Sequence, residues 1–249
     1  MALPRDRVLK AQTPLPRCLP VRNLLQFEGR SFSHMATLNW PPNLSRWKDE
    51  MAKAAKDAKT QASFHMAVSF QAQAPRARAD EPPHDIHLGA QVILNNPPIA
   101  TYSLMIGQRH DSSKPRVLRR MHFDLQEQPG THEPKPMLHL HVAGGCLPAL
   151  GRAGYDDAAF EHLIPSLEKP RIPCLPQSFA LLVHVALLEY HTTDHRLGAF
   201  VRSPSWLSVV SDAESEVLRP FFLHGNTWLS SARLKAASLI SVFYGMPAE

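Results

Sequence analysis

The residues best suited to chemistry lie together in the segment 121–145, which reads MHFDLQEQPGTHEPKPMLHLHVAGG. Both ends of this segment alternate apolar and polar residues, which predicts two strands joined by a long loop. Pairing the apolar faces of the two strands places four polar side chains together on the other face, where directly opposed Cβ atoms lie about 4.5–5.5 Å apart. These four side chains belong to His122, Asp124, His139 and His141.

Imidazole nitrogens with one carboxylate form a donor set that suits a divalent metal such as Zn or Mn. We therefore expect Asp124, His139 and His141 as metal ligands, and His122 or His132 of the loop as a general base. Without a metal, Asp124 would instead orient His122 as the base. A structural interpretation stays open as well, because an antiparallel sheet with one buried face turns polar side chains to the other.

Three arginines lie just before the first histidine of this set, at positions 116, 119 and 120. Guanidinium groups bind phosphate in a bidentate manner, so Arg116, Arg119 and Arg120 are candidates for contacts with nucleic acid. The plainer interpretation is that these three arginines lie on a solvated strand. A metal site beside phosphate-binding arginines would be that of a metal-dependent phosphodiesterase or nuclease.

Known short motifs fit this segment only in part. His139-Leu-His141 matches the His–hydrophobic–His core of single-strand endonucleases that cut with a tyrosine, for which Tyr155 and Tyr190 are the nearby candidates. Nucleotide hydrolases with an HxHxH motif have a third histidine where this chain has Met137. The chain contains no GxxxxGK[ST], HExxH or GxSxG, so phosphate-loop, zincin and serine-hydrolase functions have no support.

The cysteines give two further indications. Three cysteines without a CxxC spacing argue against a disulfide framework and a structural zinc site, and favour a reducing cytoplasm. The order of helix, meander, histidine-containing loop, cysteine and helices loosely resembles ubiquitin-conjugating proteins. That resemblance implies a thioester at Cys146, although the His-Pro-Asn tripeptide of the family is absent.

The elements that must position these residues follow from periodicity and turn signals. A helix is predicted over Arg46–Thr60, and a polar, proline-rich loop over 74–88. Strands are predicted at 63–73, 91–94, 100–106, 117–126 and 138–142, and later helices at 177–190, from Pro204 to about 218, and at 226–244. The prediction is an α+β fold: an antiparallel meander of about five strands, with one N-terminal helix and three C-terminal helices packed on it.

Composition sets the frame for these elements. The 249 residues are 44% hydrophobic and 20% charged and include 23 prolines and 14 histidines, which is enough chain for a sizeable core. We predict a proline-rich arm over 1–42, in which only Val21–Phe27 packs on the body, and a single domain over 43–249. No apolar run is long enough to cross a membrane, and no secretory signal is visible. Residues 1–60 hold eleven Lys and Arg against five Asp and Glu, so nucleic acid or an acidic partner is a candidate ligand.

One longer pattern runs from Met121 to Tyr190. A strand ending His-Phe-Asp leads through a His-Pro-rich loop to Leu-His-Leu-His-Val-Ala-Gly-Gly, then to Arg-Ile-Pro and a Ser-Phe-x-Leu-Leu helix. This pattern, about a quarter of the chain, is similar to uncharacterised bacterial proteins associated with mobile elements and defence islands. The resemblance implies a bacterial cytoplasmic setting. Together with the lack of a complete catalytic motif, it favours an accessory component that binds a protein partner and needs no organic cofactor.

Overall fold

The computed structural model describes residues 20–74, 77–78, 81–94, 98–108, 116–126, 138–142, 161–162 and 167–222. Within these ranges the α-helices are α1 (Val21–Met35), α2 (Trp47–Thr60), α3 (Phe179–Tyr190), α4 (His195–Val201) and α5 (Pro204–Ala213). The strands are β1 (Ser63–Ala72), β2 (His84–Ile93), β3 (Ile99–Gln108), β4 (Arg116–Gln126), β5 (Leu138–Val142), β6 (Glu161–His162) and β7 (Leu167–Pro173). A 3-10 turn precedes α2, and a π-helical segment continues α5. No helix in these ranges is long and apolar enough to cross a membrane.

The described strands form one sheet in the order β1-β2-β3-β4-β5-β7, and the short β6 pairs with β4. Every consecutive pair from β1 to β5 is antiparallel, so the predicted α+β class and antiparallel meander are confirmed. The long strands of ten or eleven residues number four in the described ranges, rather than the five predicted. Three shorter strands extend the sheet beyond them.

One face of the sheet is apolar and carries the helices. In β1, Phe64, Met66, Val68 and Phe70 are buried, whereas the residues between them are more exposed. The side chain of Phe32 in α1 packs edge-on against Phe64, with ring centroids 4.8 Å apart. This alternation was visible in the sequence because side chains along a strand point to the two faces in turn.

Side-chain caps define where the later helices begin. Ser178 Oγ accepts a hydrogen bond from the backbone N–H of Leu181, and Ser203 Oγ accepts one from that of Trp206. Proline follows Ser203 at the first position of α5, as the sequence predicted. The sequence did not predict α4, whose cap is Asp194. The predicted helix over 226–244 lies outside the described residues.

The segment 1–42, which was predicted to be a proline-rich arm, contains a helix that belongs to the core. Residues 21–35 form α1, a helix of four turns whose buried side chains belong to the same core as the sheet. The predicted packed segment at Val21–Phe27 was therefore too short. The last of the prolines at 14, 16 and 20 lies directly before the helix, so the chain is free of prolines where α1 begins. Residues 1–19 lie outside the described ranges, and the single domain over 43–249 stays a prediction.

Aromatic side chains join the N-terminal helices to the C-terminal ones. Trp40, which follows α1, has its ring centroid 5.1 Å from that of Trp47, 4.7 Å from Phe200 and 5.6 Å from Trp206. Trp206 is fully buried. The core thus lies between the helices and one face of the sheet, and the other face is left for the polar residues.

Candidate functional site

The register of β4 with β5 brings the predicted site residues opposite one another. Along this ladder His141 faces His122 and His139 faces Asp124, while the intervening pairs are apolar. All four residues therefore share one face of the sheet, the face away from the helices, which we call the polar face. The side chains of His139 and His141, and all of His132 and Cys146, lie outside the described residues.

His122 and Asp124 are in contact on the polar face. The distance from His122 Nε2 to Asp124 Oδ2 is 3.6 Å, and both side chains are more than four-fifths buried. Asp124 Oδ1 also accepts a hydrogen bond of 2.8 Å from the hydroxyl of Thr101 on β3. A carboxylate and an imidazole nitrogen are thus held side by side, and a strand on each side fixes their position.

Burial keeps the imidazole of His122 uncharged. Desolvation, helped by the neighbouring Arg120, lowers the pKa of His122 from 6.5 to about 4. The contact with Asp124 is therefore not an ion pair at neutral pH. A base with so low a pKa abstracts protons weakly near pH 7, so the geometry favours His122 as a ligand over the predicted role of general base.

The polar face continues across the neighbouring strands. The register aligns Asp124 with Thr101, Gln91 and His65, and aligns His122 with Ser103. Several polar side chains of this face are buried, namely His87, Gln91, Thr101, Ser103, Arg120 and His122. Burial also lowers the pKa of His87 to about 4. The polar face therefore holds a second uncharged imidazole, that of His87, outside the predicted hairpin.

Sequence reasoning missed His65 and His87 as members of this face. His65 could have been found, because it alternates with Phe64 and Met66 in a strand that was correctly predicted. His87 could not, because the predicted loop over 74–88 covers the start of β2. Two prolines at 82 and 83 and the polar residues that follow hide an alternation of Ile86 and Leu88 with polar neighbours.

The three predicted arginines do not form one patch. Arg120 is 6% exposed and belongs to the polar face, two residues before His122. Arg119 is exposed and pairs in register with Ile106, on the face that carries the helices. Arg116 is exposed at the start of β4. Adjacent residues of a strand point to opposite faces, so only Arg120 accompanies the histidines.

Tyr190 lies on the helix side of the sheet. Its hydroxyl is 2.9 Å from Nδ1 of His84, and its ring packs edge-on against Phe70 of the apolar face. Burial raises the pKa of Tyr190 to about 12. Tyr190 is thus separated by the sheet from the face of Asp124 and His122, which contradicts its assignment as the tyrosine of a His–hydrophobic–His nuclease. Tyr155, the other candidate, lies outside the described residues.

Of the three predicted metal ligands, only Asp124 has a described side chain, and the donor beside it is His122, which was predicted as a base. Among described side chains, no group of three or more His, Cys, Asp or Glu is placed to hold a metal ion. A complete site would therefore need the two β5 histidines, which the register sets opposite the two described donors. Comparison of the chain with models of protein families, with characterised proteins and with solved structures finds no match.

Proposed function

We propose that the protein is a metal-dependent phosphodiesterase whose divalent ion binds on the polar face of the sheet. The observation that carries the proposal is the β4–β5 register, which sets His141 opposite His122 and His139 opposite Asp124. Opposed residues of an antiparallel pair have Cβ atoms about 4.5–5.5 Å apart, which allows their side chains to share one ion. Three imidazoles and one carboxylate suit Zn or Mn.

Two further features support this donor set. The low pKa of His122 keeps its imidazole neutral, which is the form that binds a metal. Thr101 donates a hydrogen bond to Asp124 and so orients the carboxylate, as outer partners of metal ligands do.

The residue beside the proposed donors supports phosphodiester hydrolysis as the reaction. Arg120 is on the same face and buried, so its guanidinium is suited to neutralise a phosphate next to the ion. A divalent ion with an open position lowers the pKa of a bound water to about 7 and so supplies the nucleophile at neutral pH. His132 stays the predicted base.

A metal-binding measurement on the full chain tests the proposal. After removal of metal with a chelator, calorimetric titration with Mn²⁺ or Zn²⁺ is expected to give one ion per chain. His139→Ala and Asp124→Asn are each expected to weaken binding at least tenfold. His34→Ala, which removes an exposed histidine of α1, is the matched control and is expected to bind normally. Hydrolysis of bis(p-nitrophenyl) phosphate is then expected to need both the ion and Asp124.

The outcomes separate the two functions that the sequence left open. If the wild-type chain binds no ion, or if His139→Ala binds as tightly as wild type, the metal site is wrong. The resemblance to proteins of mobile elements and defence islands then leaves an accessory, partner-binding component as the function to pursue. If the ion binds but no phosphodiester is hydrolysed, the site is a metal site of another kind.

A further inference from the structure

A basic groove runs between α1 and α2, on the helix layer rather than on the polar face. It has a volume of about 560 Å³ and is lined on the α1 side by Arg22, Gln26 and Arg30, and on the α2 side by Ala58 and Lys59. Its volume falls within the roughly 300–1,000 Å³ of ligand-binding clefts. The floor is apolar, because Leu25 and Leu94 also line it.

The two helices that line the groove approach each other closely at one point. A Cβ atom added at Gly29 would lie 3.2 Å from the Cβ atom of Ala58, so glycine permits this approach. Two helices, rather than a loop, thus fix the positions of the groove's charges.

The charges of the groove are all positive. Arg22, Arg30 and Lys59 are exposed, and no acidic side chain is among the described residues that line the groove. The one acidic residue of α1, Glu28, points into the core and is fully buried. Within the described part of the chain, none of the three cations forms an ion pair. Because no carboxylate of the described residues neutralises them, these cations can attract an anionic ligand.

The spacing of the cations indicates an extended ligand. Arg22 and Arg30 are separated by eight residues of α1, which is about 12 Å along the axis at 1.5 Å per residue. Cations at this spacing suit a ligand that carries several negative charges along its length. The exposed Gln26 lies midway between them on the same side of the helix and offers further hydrogen bonds.

We propose that this groove binds single-stranded nucleic acid through its phosphate backbone. A strand carries one charge per nucleotide, which matches cations set along a line, and a groove of this volume takes a short stretch of one strand. The apolar floor offers contact to bases or sugars without reading their sequence. This inference does not rest on the metal site, which is on the other face of the sheet.

Fluorescence anisotropy with labelled short oligothymidylate and oligouridylate, in a chelator and over a series of salt concentrations, tests the inference. The Arg22→Glu/Arg30→Glu variant is expected to bind at least tenfold more weakly than wild type. Each phosphate contact on a single strand contributes about −0.7 to the slope of log affinity against log salt. The slope is therefore expected to become less negative by about 1.4 when both contacts are removed.

The matched control is Lys53→Glu/Arg196→Glu, which changes the net charge equally at exposed positions outside the groove. It is expected to bind within twofold or threefold of wild type. An equal loss in this control would show diffuse attraction and overturn the groove as the site. Absence of binding by the wild-type chain, or binding to vesicles of anionic lipid in preference to oligonucleotide, would overturn it as well. Circular dichroism of all variants checks that they are folded.

Discussion

Glu28 is a carboxyl group buried where α1, β3 and the start of α3 meet. Its Oε1 accepts hydrogen bonds from the hydroxyl of Tyr102, at 2.7 Å, and from the backbone N–H of Phe179, at 2.8 Å. Oε2 has no hydrogen-bond partner among the described groups. Desolvation outweighs both hydrogen bonds and raises the pKa of Glu28 from 4.5 to about 7. The core therefore favours the protonated, uncharged acid.

The stability of the protein is expected to fall as pH rises because of Glu28. A raised pKa means that the folded chain binds the proton more tightly than the unfolded chain, so this contribution is fully present below pH 4.5 and is lost as pH rises through about 7. A tenfold change in an equilibrium constant corresponds to about 1.4 kcal/mol. The rise in the pKa of Glu28 from 4.5 to about 7 therefore corresponds to a loss of about 3 kcal/mol in the free energy of unfolding. Glu28→Gln, which mimics the neutral acid, is expected to be more stable than wild type at pH 8 and similar at pH 4.5.

Urea unfolding of wild type and Glu28→Gln at several pH values measures this effect. Glu50→Gln, at an exposed position of α2, is the control and is expected to keep the wild-type pH dependence. His87 and His122 act in the opposite sense, because their lowered pKa values cost stability as pH falls below 6.5. The difference between Glu28→Gln and wild type isolates the carboxyl. If that difference is the same at pH 4.5 and pH 8, the buried acid is ionised and the account is wrong.

What the sequence revealed about single residues depended on alternation along strands. His122 and Asp124 were assigned to a shared face because apolar residues alternate with them, and the β4–β5 register has both on that face. Glu28 could not be found, because burial of one carboxyl depends on three elements that are distant in sequence.

At the level of elements, the predictions held where one pattern dominated. The alternation of β1, the span of β5 and the Ser-Pro start of α5 were all clear in the sequence. Two helices were missed for different reasons. The apolar residues of α1 do recur at helical spacing, at positions 21, 24, 25, 32 and 35, but the prolines before the helix led to the prediction of an irregular arm. The helix α4 has only seven residues, which is too short to show helical periodicity. Both exist because tertiary packing buries their apolar sides.

The short helix α4 is expected to depend on its cap. Asp194 Oδ1 accepts hydrogen bonds from the backbone N–H groups of Arg196, at 2.8 Å, and Leu197, at 3.4 Å. Asp194→Ala removes both and is expected to lower the free energy of unfolding by about 1 kcal/mol. Asp194→Asn keeps an acceptor and is expected to lose less. Asp212→Ala, at an exposed position inside α5, serves as the control.

Chemical unfolding measures these differences, and hydrogen exchange locates them. The amides of α4 are expected to exchange faster in Asp194→Ala than in wild type, whereas those of β2 and β3 are expected to change only as much as global stability does. Equal stability of Asp194→Ala and wild type would mean that packing alone holds the helix.

The whole molecule is organised by a sheet with two unlike faces. The apolar face is covered by helices, and the opposite face carries buried polar side chains with neutral histidines. The proposed metal site and the basic groove thus lie on different sides of the sheet. Five of the histidines lie at positions of the polar face. They are His65, His87 and His122, together with His139 and His141, which the register places there.

Trp206 joins parts of the helix layer that are distant in sequence. Its ring contacts Phe200 at 5.4 Å between centroids and Trp40 at 5.6 Å, and so connects α5 to the segment that follows α1. Trp206→Ala is expected to lower the free energy of unfolding by about 3–5 kcal/mol, because it leaves a large cavity in the core. Fluorescence and circular dichroism are expected to report a single transition, since both ends of the layer depend on this contact.

Two variants separate packing from hydrogen bonding at this position. Trp206→Phe removes the hydrogen-bond donor to His184, as Trp206→Ala does, but keeps an aromatic ring and leaves a smaller cavity. It is therefore expected to lower the free energy of unfolding less than Trp206→Ala does. Leu207→Ala changes the next residue, which is 44% exposed, and is expected to stay within about 0.5 kcal/mol of wild type. If Trp206→Ala were no more destabilising than Leu207→Ala, the aromatic cluster would not join the two ends of the helix layer. Fluorescence would then report unfolding of the remaining tryptophans at a midpoint different from that of the sheet.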